Sequence, residues 1–300
     1  MAVTLHSPPL TADRDVALRV DPLRIVDVAV PAVSSSDPDV AVWKDRHGNA
    51  VAFGLVAGSY RWLIVKGVGA YRSAVVPRDP KRLSVDVVGE QGVGLDVLED
   101  FFLRTVLPVA VQAHGLEAVH ASAVAIDGVG VVVFCADAFT GKSTLAYALG
   151  RHGARHIADD FVVFDPQTLE ALPVPFAARL RKESALRFDA PRRSKVLASS
   201  VGWDRRLSER LPIAAVCLLE RGSDDTTLEP TRGANVLGRL LSEAFVDDIT
   251  QPARKRSLVE AYFRLKARVP VFRLSYPDGL GHLPAVCERI TRFASHRELA

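Results

Sequence analysis

The stretch "VVVFCADAFTGKSTLAYALG", residues 131–150, constrains this chain more than any other. A fully apolar run reads as a strand, an amphipathic run beginning at Lys142 reads as a helix, and the turn between them carries Gly-Lys-Ser. A phosphate-binding loop reads G-x-x-x-x-G-K-[ST], with the strand fixing one end and the helix N-terminus aiming free N–H groups at an anion. In that frame Lys142 reaches the β- and γ-phosphates, and the Ser143 hydroxyl sits on Mg2+, with Thr144 following. The candidate nucleotide contacts are Ala136, Asp137, Ala138, Phe139, Thr140, Gly141, Lys142, Ser143 and Thr144. The loop is poor in glycine. Ala136 replaces the first Gly and is tolerable at negative φ, but bulky Phe139 and β-branched Thr140 resist positive φ. Either Gly141 alone must be permissive, or phosphate binding is weakened.

Asp159 and Asp160 lie 17 and 18 residues after Lys142, behind the short strand candidate "RHIA". One helix, a turn at Gly153 and one strand fill that distance. The returning strand is expected beside the first, which brings both carboxylates to the edge where the loop opens. Paired carboxylates there can divide the work, one holding Mg2+ with Ser143 and the other taking a proton from an incoming hydroxyl. The plainer alternative is an Asp that caps or ends a turn.

Around this segment the chain has two textures. From about residue 14 to 90, β-branched runs alternate with turn residues, and "KDRHGNAV" reads as a hairpin connection. From Leu95 the period becomes helical, with Asp96 as the expected N-cap. Strands and helices then interleave, while "AVAIDGVGVVV" reads as a hairpin, so the sheet is expected to be mixed within an α/β fold. At 48% hydrophobic and 24% charged, the 300 residues can build a sizeable core. A net charge of +3 is too mild to indicate nucleic acid or an anionic membrane. Cys135, Cys217 and Cys287 sit in apolar runs and read as buried thiols of a reducing compartment. With no leader pattern and no apolar run near eighteen residues, a cytoplasmic protein is expected. No aromatic or charged cluster stands out in the first half, so it is expected to brace the second half rather than recognise a ligand.

The order "VHASAVAIDGVGVVVFCADAFTGKSTLAYALGRHGARHIADD" resembles the catalytic core of HPr kinase/phosphorylase, whose fold is related to that of phosphoenolpyruvate carboxykinase. "VHASAV" and "AFTGKST" are similar to HPr-kinase-like proteins found beside lasso-peptide biosynthesis genes. The resemblance is sharp over about residues 115–165. It implies an α/β P-loop kinase core with a mixed β-sheet over 95–300, preceded by a β-rich N-terminal region over 1–94. It also implies ATP- and Mg2+-dependent phosphoryl transfer to a hydroxyl, in that family a serine of a small protein. Carried over, Asp159 is the general base, Asp160 the metal carboxylate and His120 a neighbour that orients or tunes the pair, though the two Asp could exchange roles, and His120 taken alone reads as a hydrogen-bonded structural histidine. The family's glycine-rich loop after the active site is missing. In its place stands "PVPFAARLRKESALRFDAPRRSK", a basic loop that either clamps the transferring phosphoryl group or holds an acidic peptide, or is a solvated surface loop; the resemblance favours Arg179 and Arg181 for the functional role. The implied partner is a peptide or small-protein phosphoacceptor, with no nucleic acid and no membrane, and a homo-oligomer left open.

Two other readings stay beside this one, a catalytically weak nucleotide-binding regulatory protein and a small-molecule kinase. A GTPase fits worse, because the two Asn, Asn49 and Asn235, form no Asn-Lys-x-Asp base reader. An ABC-type ATPase lacks its Leu-Ser-Gly-Gly signature.

Overall fold

Val131, Val133 and Cys135 of the strand Gly130–Cys135 enter one apolar cluster, and Val132 and Phe134 enter another on the opposite face. An uninterrupted apolar run does this when helices cover both sides of a sheet. In the computed structural model, which describes residues 16–44, 48–174, 180, 182–188, 206–207, 209–246 and 252–295, those helices are identifiable. Ala234–Ser242 and Pro252–Arg268 supply Val236, Leu240, Leu258, Tyr262 and Leu265 to one face. Lys142–Arg151 and Leu283–Ser295 supply Leu145, Leu149, Val286, Ile290 and Phe293 to the other. The fold is mixed α/β.

Among the described residues the covered sheet has nine strands. Arg155–Ala158, Ala121–Ile126, Gly130–Cys135 and Leu211–Arg221 lie side by side, and Val271–Tyr276 pairs the far side of Leu211–Arg221. Gly130–Cys135, Leu211–Arg221 and Val271–Tyr276 run parallel, while the hairpin partner Ala121–Ile126 runs against its neighbours. Here one expectation fails. Arg155–Ala158 does not lie beside Gly130–Cys135, because the hairpin strand occupies that place and pairs with both. Two successive antiparallel pairings still leave the outer strands pointing the same way, so the chain ends of both strands reach one edge.

The first part of the chain is β-rich, as expected. Among the described residues its sheet has six strands and runs from the edge strand Arg24–Ile25 through Val85–Gly89, Gly69–Ala74, Tyr60–Val65 and Ala50–Ala57 to Ala41–Lys44. The last two of these form the expected hairpin, with Gly48 at φ 83°. This sheet does not keep a core to itself. Val65, Tyr71 and Val87 share one apolar cluster with Phe102 and Leu107 of the following helical segment and with Phe161, Val163 and Val174 of the second part.

That helical segment starts at Leu95, but Gly94 occupies the cap position and Asp96 falls in the first turn, with no side-chain cap bond. It then widens to a π-helical register over Phe102–Val106 before Leu107–Ala110. Pro108 explains the change, since it has no N–H to donate to the Arg104 carbonyl four residues back. All three cysteines are buried free thiols. Among the described residues no helix is long and apolar enough to cross a membrane.

Candidate functional site

The strands Gly130–Cys135, Arg155–Ala158, Leu211–Arg221 and Val271–Tyr276 release their C-terminal ends at the same sheet edge, where open α/β sheets form ligand crevices. A cavity of about 330 Å³ lies there. Its wall combines residues 138–144 with His120, Asp160, Arg221 and Tyr276.

The glycine-poor loop adopts two left-handed residues. Gly141, at φ 113°, caps the helix Lys142–Arg151, and a Cβ there would stand 3.3 Å from the Tyr276 hydroxyl. Phe139 is at φ 74°, where a bulky L-residue is strained, and its side chain projects outward with 66% of the residue exposed. Ala136, replacing the usual first glycine, is buried and does not have a positive φ. Thr140 avoids positive φ as well; its hydroxyl donates to the Asp137 carbonyl at 2.9 Å, and its own carbonyl accepts the Tyr276 hydroxyl at 3.1 Å. So the glycine deficit is concentrated in one strained residue, Phe139.

Lys142 is only 7% exposed, and its ammonium donates to the Ala136 carbonyl at 2.5 Å and the Asp137 carbonyl at 3.4 Å. It is folded across its own loop. Ser143 lines the cavity, and Thr144 shares a 3.1 Å hydroxyl contact with buried Ser184 of the short helix Lys182–Arg187.

The two aspartates part company at the end of their strand. Asp159 is fully buried and accepts the Ser122 hydroxyl at 2.6 Å, and it is not on the cavity wall. Asp160, at φ 65°, turns the other way onto the wall, where the Arg104 guanidinium pairs with its carboxylate. Arg104 is held in turn by Asp100 at 3.0 Å. The carboxylate expected as the base is thus sealed, while the one expected on the metal faces the cavity.

His120 donates its Nδ1–H to the Asp160 carbonyl at 2.7 Å, which leaves Nε2 as the acceptor of a neutral ring. Burial, aided by nearby Lys142, pushes its pKa below the ordinary histidine value. Its backbone N–H donates to the Glu243 carbonyl at 2.7 Å. Burial raises the Glu243 carboxyl to about 7 despite nearby Lys142. Arg104, Ser122, Ser184, Arg221, Glu243 and Tyr276 were not singled out from the sequence. Each lies on a different element, and only Tyr276 and Arg221 carried a readable signal, as the last residues of parallel strands. Arg179 and Arg181 lie outside the described residues.

These residues fit a polyphosphate with its metal. The helix N-terminus and Lys142 supply positive charge, and Ser143 supplies a hydroxyl oxygen beside it. Among the described residues no cluster of three His, Cys, Asp or Glu side chains could hold a metal alone. Mg2+ commonly needs no such cluster, because waters and phosphate oxygens complete its shell.

No family model and no curated protein matches this chain. Among solved structures it is similar to the Hpr(Ser) kinase/phosphatase from Coxiella burnetii, at 17% identity over 60% of this chain and 90% of that one, with a TM-score of 0.26. A superposition that loose carries no weight for fold or activity.

Proposed function

We propose that this chain is an ATP- and Mg2+-dependent phosphotransferase of the HPr-kinase-like kind, acting on a hydroxyl of a peptide or small protein. One observation carries the reading: a strand-loop-helix with a buried lysine at the helix start opens into the same cavity as Asp160 and His120. That combination supplies an anion seat and a proton acceptor within one wall.

The residues divide the work as follows. Backbone N–H groups at the start of the helix Lys142–Arg151 and the Lys142 ammonium hold the phosphates, once that ammonium leaves the Ala136 carbonyl. Mg2+, when bound at Ser143, neutralises charge on the transferring phosphoryl group. Asp160 takes the proton of the incoming hydroxyl, the reverse of the family-based expectation, because its carboxylate reaches the cavity and that of Asp159 does not. Neutral His120 holds the Asp160 backbone in its left-handed turn, and Asp159 fixes the same turn from below through Ser122. Attack by the acceptor oxygen on the γ-phosphorus breaks the bond to ADP, and the released proton resides on Asp160.

The test is transfer of label from γ-labelled ATP to serine-containing peptides. Asp160→Asn is expected to remove transfer while Mg2+–ATP binding persists. Transfer that survives Asp160→Asn but vanishes in a folded Asp159→Asn variant would restore the opposite assignment. Strain at Phe139 and the Lys142 contact with its own loop favour a second reading, a nucleotide-binding regulatory protein without turnover. ATP binding without labelled product from any acceptor would select it.

A further inference from the structure

Four arginines spread between residues 24 and 82 come together around a hollow of about 320 Å³, Arg24 and Arg72 from the six-stranded sheet, Arg82 from the strand Arg82–Leu83 of a separate sheet and Arg78 from a bend. Its floor is acidic. The Asp86 side chain is 7% exposed and accepts Arg24 Nε at 2.7 Å and Arg72 Nε at 3.0 Å, one on each oxygen. Asp21 accepts Arg82 Nε at 2.8 Å and also the Ser84 hydroxyl. The guanidinium heads lie above these carboxylates, with the Arg24 and Arg82 side chains 72% and 57% exposed. Arg72 is laid over the Tyr60 ring at 4.4 Å. Arg78 is exposed at the rim and forms no ion pair among the described residues.

A guanidinium has five N–H donors in a rigid fork, so one anchored through Nε keeps donors for a second partner. Buried Asp86, partly buried Asp21 and the tyrosine ring fix the heads of Arg24, Arg72 and Arg82 before a ligand arrives, which lowers the ordering cost of binding. Forked donors match carboxylate or phosphate oxygens. Two features choose between ligands. Across this hollow and the one beside it four arginines stand against Asp21, Asp79 and Asp86, an excess too small for the multi-phosphate neutralisation that nucleic acid requires. A second hollow also contains Arg24, Arg82, Ser84 and Asp86, so the basin is elongated towards the edge strand Arg24–Ile25 and suits an extended chain better than a single ion.

We propose that this basin binds an extended acidic peptide segment through its carboxylates. It stands whether or not the cavity at Lys142 transfers phosphate. If the phosphotransferase reading holds, the segment belongs to the acceptor.

The experiment is fluorescence anisotropy of a dye-labelled oligo-glutamate peptide with the full chain. Arg78→Glu leaves the pairs on Asp86 and Asp21 intact, so it tests the site without disturbing the sheet, and Arg24→Ala is the second variant. Binding is expected to weaken about tenfold or more in each, consistent with loss of a charge-assisted hydrogen bond, and to be unchanged in Lys142→Ala. Equal affinity in wild type and both variants, or no binding by wild type, would overturn the proposal. So would tighter arginine-dependent binding of a single-stranded oligonucleotide or of inorganic phosphate. Loss of phosphotransfer in Lys142→Ala with peptide binding intact keeps the two proposals separately testable.

Discussion

At φ 74°, Phe139 holds a conformation that costs a bulky residue about 1–2 kcal/mol, yet most of its surface is exposed. Little burial offsets that strain. Phe139→Gly is therefore expected to stabilise the chain by roughly 0.5–1 kcal/mol, the strain relieved less the extra unfolded-state entropy of glycine, as read from urea denaturation. A decrease in stability would mean that the ring contributes more than its strain. Glu243 poses a pH question at the same scale. Its folded carboxyl titrates near 7 against an ordinary 4.5, chiefly because it is buried, with Lys142 acting in the opposite direction. Between those values the folded state binds the proton more tightly, so stability falls as pH rises through the window and levels above it. Glu243→Gln removes this titration. Relative to wild type, its melting temperature is expected to be higher at pH 8 than at pH 5, and a pH-independent difference would refute the assignment.

The helical segment after Leu95 joins the N-terminal sheet to the cavity. Phe102 and Leu107 enter the shared core, while the π-helical turn between them carries Arg104 out to Asp160. Single π-turns of this kind recur at functional sites. Arg104→Ala is expected to lower phosphotransfer about tenfold or more by loosening the Asp160 carboxylate, with ATP affinity within about twofold, and Arg104→Lys to recover part of the loss. Equal losses in affinity and transfer would point to a general structural role. The sequence announced this helix through its apolar spacing but not its register change, which comes from the missing N–H of Pro108, four residues after Arg104. The loop-helix at Lys142 and the hairpin before it were legible for the opposite reason. Their signals are local, in one apolar run, paired turn glycines and an amphipathic helix.

Over the whole molecule, what remained hidden was long-range pairing. The hairpin strand Ala121–Ile126 lies between two strands expected to be neighbours, since nothing local specifies which edge it takes. Which Asp faces the cavity depends on a single left-handed residue. The four arginines of the basin come from three strands and a bend, and they look scattered along the chain. The first part also shares its core with the second, through Tyr71 and Val87 on one side and Phe161 and Val163 on the other. Unfolding is therefore expected to be one cooperative transition by calorimetry and circular dichroism, and two separated transitions would contradict a shared core. The central claim concerns the cavity at the sheet edge and is tested most directly by titrating Mg2+–ATP into wild type and Lys142→Ala in a calorimeter. Saturable binding by wild type, lost in a folded Lys142→Ala variant, is the predicted result; equal binding by both, or none by wild type, would contradict it.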